Sequence, residues 1–167
     1  MTGKWHLGGS QLSQLPTGRG FDEFVGVIGA SVDSYTKQVH LPGASYIDWI
    51  HTYGNNQSFR HYAEARHSTL AITMEAQRMV REHSEAQKTF PFGDPLFLYV
   101  SYTAAHSPLV SDPAFKNQCS NLKHYWRRIY CEAIVGLDEA IHNLTATVIS
   151  ELSSNTVLFV LSDNGND

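Results

Sequence analysis

The spacing of apolar residues changes along the chain, and each change predicts a different kind of element. In the first third, Gly3, Gly8, Gly9, Gly18, Gly20, Gly26 and Gly29 interrupt short apolar pairs such as Phe24–Val25 and Val27–Ile28. That pattern predicts loops and short strands laid over a core, not a helix. Residues 45–62 read as a weak hairpin, with Tyr46-Ile47-Asp48-Trp49-Ile50 and Ser58-Phe59-Arg60 flanking the turn cluster Gly54-Asn55-Asn56. Ser68 is then placed to cap a helix carrying Ile72, Ala76, Met79, Val80 and His83 on one face. Leu96-Phe97-Leu98-Tyr99-Val100 and Thr156-Val157-Leu158-Phe159-Val160-Leu161 are continuous apolar runs, as expected of strands covered by helices on both faces of a parallel sheet. Between them, Trp126, Ile129, Ala133, Leu137, Ile141, Leu144, Val148 and Leu152 recur at steps of three and four. They define a long amphipathic helix with a candidate break at Gly136. Strand, crossover helix and strand make a βαβ unit, expected to be right-handed. The fold class predicted is α/β, a mostly parallel sheet with flanking helices.

Composition narrows this reading. With 167 residues, 42% hydrophobic and 17% charged, the chain has apolar material for one core and too little charge for disorder. Twelve Lys and Arg against sixteen Asp and Glu give a net charge of −4 and no basic stripe, which argues against a nucleic-acid partner. Arg127 and Arg128 read as part of a helix surface. No apolar run reaches the ~18–20 residues of a membrane span, and the opening Met-Thr-Gly-Lys-Trp-His shows no secretory apolar region. Cys119 and Cys131 form neither a disulfide framework nor a metal finger. Each reads as a small buried or half-buried side chain, and the sequence leaves their pairing open.

Ligands of open α/β sheets bind beyond the carboxyl ends of the strands. Past the first apolar run lies Ser101-Tyr102-Thr103-Ala104-Ala105-His106-Ser107-Pro108, and past the second lies Ser162-Asp163-Asn164-Gly165. The βαβ reading brings both to one edge, with His106 near Asp163 and Asn164. A carboxylate beside an amide carbonyl suits Ca²⁺ or Mg²⁺. The same residues also make an ordinary turn with Gly165 at positive φ, and His106 alone reads as a loop histidine bonded to backbone. In Gly3-Lys4-Trp5-His6-Leu7-Gly8, an extended backbone would put Lys4 and His6 on one face and turn Trp5 and Leu7 into the core. A cation beside an imidazole suits an oxyanion.

In order and spacing, these segments resemble the type I sulfatases of the alkaline-phosphatase-like superfamily. Gly3 to Gly8 is similar to their second signature, and Arg19-Gly20-Phe21-Asp22-Glu23-Phe24-Val25-Gly26 to the segment after it. Tyr102 to Pro108 resembles their histidine loop and Ser162 to Gly165 their metal loop. Leu137-Asp138-Glu139-Ala140 and Asn143-Leu144-Thr145 point to the arylsulfatase B-like, N-acetylgalactosamine 4-sulfatase group. The resemblance implies an incomplete alkaline-phosphatase-like fold, with residues 1–167 the central part of a sulfatase catalytic domain. It implies Ca²⁺ held in part by Asp163 and Asn164, and Lys4 and His6 contacting a formylglycine nucleophile and the sulfate. His106 would bind the sulfate or stand near the leaving oxygen.

The departures are as informative. Neither cysteine stands in the Cys/Ser-x-Pro-x-Arg motif that yields formylglycine, and the family's upstream paired aspartates, downstream lysine and C-terminal subdomain are absent. An internal fragment is therefore expected, inactive alone, with a sheet edge left open. Two oxygen ligands are too few for Ca²⁺, which takes six to eight. The resemblance further implies a sulfated carbohydrate or aryl sulfate substrate and a lysosomal or secreted location, with Asn56-Gln57-Ser58 and Asn143-Leu144-Thr145 as glycosylation sequons. Two other readings remain: a phosphate or phosphonate ester hydrolase of the same superfamily, and a non-catalytic module that binds sulfated glycans through Lys4, His6 and His106.

Overall fold

The computed structural model describes residues 1–54, the backbone of 58–61, and residues 64–91, 93–152 and 155–164. Seven strands, β1 (Thr2–Lys4), β2 (Glu23–Val27), β3 (Gln38–Leu41), β4 (Ala44–Ile47), β5 (Ile50–Tyr53), β6 (Ser58–His61) and β7 (Val100–Ser101), accompany two long helices, α1 (Ser68–Thr89) and α2 (Tyr125–Glu151). The main sheet runs β6-β5-β2-β1-β7, and β3 pairs with β4 in a separate hairpin. β1 is parallel to both β2 and β7, whereas β5 is antiparallel to β2 and to β6. Four of the five strands therefore point the same way, and the α/β reading with a mostly parallel sheet holds.

Glycine sets how closely the three parallel strands approach. Gly3 faces Gly26 across one ladder and Ser101 across the other. Gly3 has φ +105°, and a Cβ there would lie 1.9 Å from the Ser101 carbonyl oxygen. At Gly26 a Cβ would lie 2.0 Å from the Gly3 carbonyl oxygen. Only glycine meets both demands.

The core under this sheet contains Val25, Val27, Val32, Trp49, Ala71, Ile72 and Met79, joining β2 to the inner face of α1. A second cluster, Met1, Trp5, Phe24 and Ile50, fills the opposite face. Glu23 binds both Arg78 (2.5 Å) and His51 (2.7 Å), so one half-buried carboxylate ties β2 to α1 and β5. α1 and α2 pack together, with the Gln77 amide donating to the Thr147 hydroxyl (2.8 Å) and the Ser84 hydroxyl to the Glu151 carbonyl (2.9 Å).

Several expectations need correction. The run 46–50 divides between β4 and β5, with Asp48 and Trp49 at the corner, so two hairpins replace one. The α1 cap is His67, whose Nδ1 accepts from the Thr69 amide (3.4 Å), while Ser68 is the first helical residue. α2 passes Gly136 without a break; a Cβ at Gly136 would come within 3.0 Å of the Phe115 ring, so the glycine makes room for a neighbour. Of the first apolar run only Val100 is strand, in the two-residue β7 at the sheet's edge. Phe97 is exposed and stacks on Phe21 at 6.1 Å.

The run Thr156–Leu161 forms no ladder among the described residues, and Phe159 is 80% exposed. The predicted βαβ unit is therefore absent. Apolar continuity shows that a segment favours cover, but a neighbouring strand must supply the pairing, and no ladder forms there among the described residues. Cys119 and Cys131 are joined in a disulfide. The loop after the short 3₁₀ turn Pro113–Phe115 folds back onto α2, where Glu132 accepts from the Asn117 amide (2.8 Å) and the Ser111 hydroxyl (2.9 Å).

Candidate functional site

The parallel strands β1, β2 and β7 are neighbours, so the segments leaving their carboxyl ends share one edge of the sheet. Lys4 is the last residue of β1, half-buried, and its backbone is in register with Val27. The strand stops there. Trp5 turns inward, its indole N–H shared between the Gly8 and Gln14 carbonyls (both 2.9 Å). His6 is exposed at φ +54°, a conformation uncommon for any residue but glycine. Its amide is pinned to the Ile28 carbonyl (2.9 Å). The strict alternation expected for residues 4–7 therefore ends after Lys4, and Leu7 is 66% exposed instead of entering the core.

After β2 the chain is held by a buried carboxylate. Asp48 accepts from the Ile28 amide (2.9 Å) and the Gly29 amide (2.7 Å), fixing the backbone that leaves the strand. After β7 the loop reaches His106, whose Nδ1 lies 2.7 Å from the Ser107 carbonyl and whose amide donates to the Thr103 carbonyl (2.9 Å). The Ser31 hydroxyl donates to the same Ser107 carbonyl (2.6 Å), which joins the loops after β2 and β7. The peptide bonds Ala104–Ala105 and Ser107–Pro108 are both cis.

His106 borders two small hollows that also share Ser34 and Thr103. One is walled by His67, Thr69, Val110 and Ala133, and the other by Val27, Ser31 and Val32. Sequence reasoning missed His67. Its Nε2 lies 3.1 Å from the Val110 carbonyl, its Nδ1 caps α1, and its ring packs edge-on to Tyr35 at 5.3 Å. Burial pushes its pKa below the ordinary histidine value, so it enters the wall as a neutral ring. A histidine just before a helical run is the only signal the sequence offered for this. The Tyr35 hydroxyl is buried without a hydrogen-bond partner among the described residues.

The predicted site residues are thus only partly assembled. Lys4, His6 and His106 lie at one edge, on neighbouring strands or the loops leaving them, yet neither Lys4 nor His6 lines the hollows at His106. Asp163 and Asn164 are exposed beyond the run 156–161, where the Ser162 hydroxyl donates to the Asn164 carbonyl (2.6 Å). The described residues do not bring them to the sheet edge. No group of three or more His, Cys, Asp or Glu among the described residues could hold a metal ion. Two oxygen side chains do not fit the needs of Ca²⁺. Gly165 and the sequon at Asn56 fall outside the described residues. Asn143 is exposed on α2, its amide donating to Glu139 (3.1 Å). Among the described residues, no helix is long and apolar enough to cross a membrane.

Comparison with known proteins extends this picture. The chain is 35% identical over 167 residues to Arylsulfatase J of Mus musculus, covering 99% of this chain and 26% of that protein. It therefore spans about a quarter of that relative's length. Among solved structures it is similar to Ps i-CgsB, at a TM-score of 0.70 and 24% identity, covering 90% of this chain and 33% of the other. A second structure of Ps i-CgsB, in complex with k-i-k-neocarrahexaose, matches equally well. At that identity the likeness shows the fold, which is the one expected from the sequence. The family model named Sulfatase matches residues 1–167. On the whole-chain match and the identity to an arylsulfatase, this chain belongs to the sulfatase family.

Proposed function

We propose that the chain is the central part of a sulfuric ester hydrolase's catalytic domain, and that its own share of the chemistry is to hold the sulfate at the carboxyl edge of β1, β2 and β7. The observation carrying this reading is that Lys4 ends β1 while His106 stands in the loop after β7, the strand paired directly beside it. Lys4 supplies a fixed cation for the sulfate oxygens, and such preorganised charge stabilises an oxyanion without reorganisation during the reaction. His6 and His106 supply imidazoles able to move a proton at the leaving oxygen or at the covalent sulfate ester. The substrate class is a sulfated carbohydrate or aryl sulfate.

The formylglycine nucleophile lies outside this chain. Both cysteines are engaged in the disulfide, and neither stands in the required motif. Asp163 and Asn164 do not reach the sheet edge among the described residues, and two oxygens are too few to hold Ca²⁺. The work of this chain's residues runs through Lys4, His6 and His106. A secretory or lysosomal setting fits the disulfide, since such bonds persist in oxidising compartments.

The test is release of product from a chromogenic aryl sulfate by a polypeptide joining this chain to a nucleophile-bearing segment of the family. Turnover that falls at least about a hundredfold on Lys4→Ala and on His106→Ala supports the proposal. Full turnover in either variant, or in residues 1–167 alone, contradicts it. An aryl phosphate hydrolysed in preference to the sulfate would favour the phosphoesterase reading.

A further inference from the structure

Between Pro113 and Cys131 the chain carries Lys116, Lys123, Arg127 and Arg128 and not one carboxylate, in a protein whose net charge is −4. The same stretch carries two exposed aromatic rings. Tyr125 is 55% and Trp126 58% exposed, they meet edge to face at 5.0 Å, and the Arg128 guanidinium lies 5.7 Å over the Tyr125 ring. Lys116, Lys123 and Arg127 are exposed. His124 caps the helix, accepting from the Arg127 amide at 3.5 Å, so the basic and aromatic side chains stand on an ordered turn of α2.

From this we infer that the 116–128 face is a docking surface for a sulfated polysaccharide chain, separate from the sheet-edge site. The chemistry is complementary on both counts. Arginine forks match planar oxyanion edges and are weakly hydrated, so they pair with sulfate groups at modest desolvation cost. Exposed aromatic rings offer an apolar face with little side-chain entropy to lose, which suits the C–H faces of sugar rings. A basic six-residue run such as Lys123-His124-Tyr125-Trp126-Arg127-Arg128 is also a sequence pattern of heparin-type patches.

Continuity with the cleft adds to this. Ala133 walls the hollow that His106 shares with His67. Trp126, seven residues earlier, lies two turns away on nearly the same helix face, about 10 Å along the axis. An extended glycan held at Trp126 runs toward His106. The inference rests on the sulfate-ester reading for its choice of polyanion, but binding needs no turnover, so either can fail alone.

The experiment is affinity measurement of the full chain on immobilised chondroitin sulfate, chemically desulfated chondroitin and a single-stranded DNA oligonucleotide, at several salt concentrations. Binding to the sulfated glycan is expected to exceed binding to the other two by at least about tenfold and to weaken with salt. The double variants Arg127→Ser/Arg128→Ser and Tyr125→Ser/Trp126→Ser should each lose about tenfold, the worth of one charge-assisted contact, with unchanged thermal unfolding. Lys4→Ala should lose less affinity than either double variant. Equal affinity for DNA would reduce the face to a cation exchanger and overturn the inference. Loss on Lys4→Ala with retention in both double variants would also overturn it, assigning the glycan to the sheet edge.

Discussion

Replacing Lys37 by Met should unfold this protein more readily than any change at the protein surface. Lys37 has no exposed surface. Its ammonium donates to the carbonyls of Ser34 (2.8 Å), Tyr35 (3.2 Å), Glu64 (3.3 Å) and Arg66 (2.5 Å), and lies 5.4 Å over the Trp49 ring. It thus joins the turn after Val32 to the segment leading into α1. Met keeps most of the stem volume and removes the donors. The Ser34 carbonyl would still be served by the amide and hydroxyl of Ser68 (2.8 and 3.0 Å). The other three would lose their donor in a buried place, at about 1 kcal/mol or more each. The expected loss is about 3–5 kcal/mol, the range for breaking a buried charged contact from one side.

Urea unfolding followed by tryptophan fluorescence reads this directly, through a lowered midpoint at unchanged slope. A loss below about 1 kcal/mol would refute the assignment of Lys37 as the tie between the two segments. A second signature follows from burial, which pushes the Lys37 pKa down to about 8 from 10.5. Between those values the unfolded chain keeps a proton that the folded one has released. The Lys37 contribution to stability therefore rises with pH over that window. The parent should gain on Lys37→Met as pH goes from 8 to 10, and a constant difference would contradict the shift.

Other outcomes follow from the same structure. Reducing the disulfide closed by Cys119 and Cys131, twelve residues apart, should lower stability by about 3 kcal/mol on a loop-entropy basis, measurable as a drop in Tm on adding a dithiol. Gly3→Ala should cost at least about 3 kcal/mol or abolish folding, because its Cβ meets the Ser101 carbonyl at 1.9 Å at a positive φ; an unchanged circular dichroism melt would contradict the strand spacing. His67 caps α1 through Nδ1 and reaches Val110 through Nε2, which suits the neutral ring. With its folded pKa lowered, the unfolded chain takes the proton first, so stability should fall as pH drops through about 6.5, and His67→Gln should flatten that slope in urea titrations.

What could be read from the residues depended on whether the signal was local. The faces of α1 and α2 follow from apolar spacing, because a helix satisfies its own backbone and needs only a stripe to pack. The glycine-broken first third gave short strands for a similarly local reason. The runs 96–100 and 156–161 were misjudged because a strand is completed by its neighbours. β7 pairs only with β1 among the described residues, and 156–161 forms no ladder there. That same dependence explains why Asp163 and Asn164 did not reach His106.

The disulfide escaped notice because twelve residues of spacing say nothing of a loop returning to its own helix. His67, Lys37 and Asp48 escaped for a related reason. Each acts on backbone groups distant in sequence, and such partners leave no periodic trace. Lys4 and His106 stand at one edge because β1 and β7 are parallel neighbours.

The central claim is that Lys4, His6 and His106 serve one sulfate-sized anion at the carboxyl edge of the sheet. Titrating the isotopically labelled chain with inorganic sulfate, while following the Lys4 side-chain and the His6 and His106 imidazole resonances, tests it most directly. All three should shift along a single binding curve that Lys4→Ala abolishes. Three unrelated curves, or a response at His106 that survives Lys4→Ala unchanged, would contradict a common site.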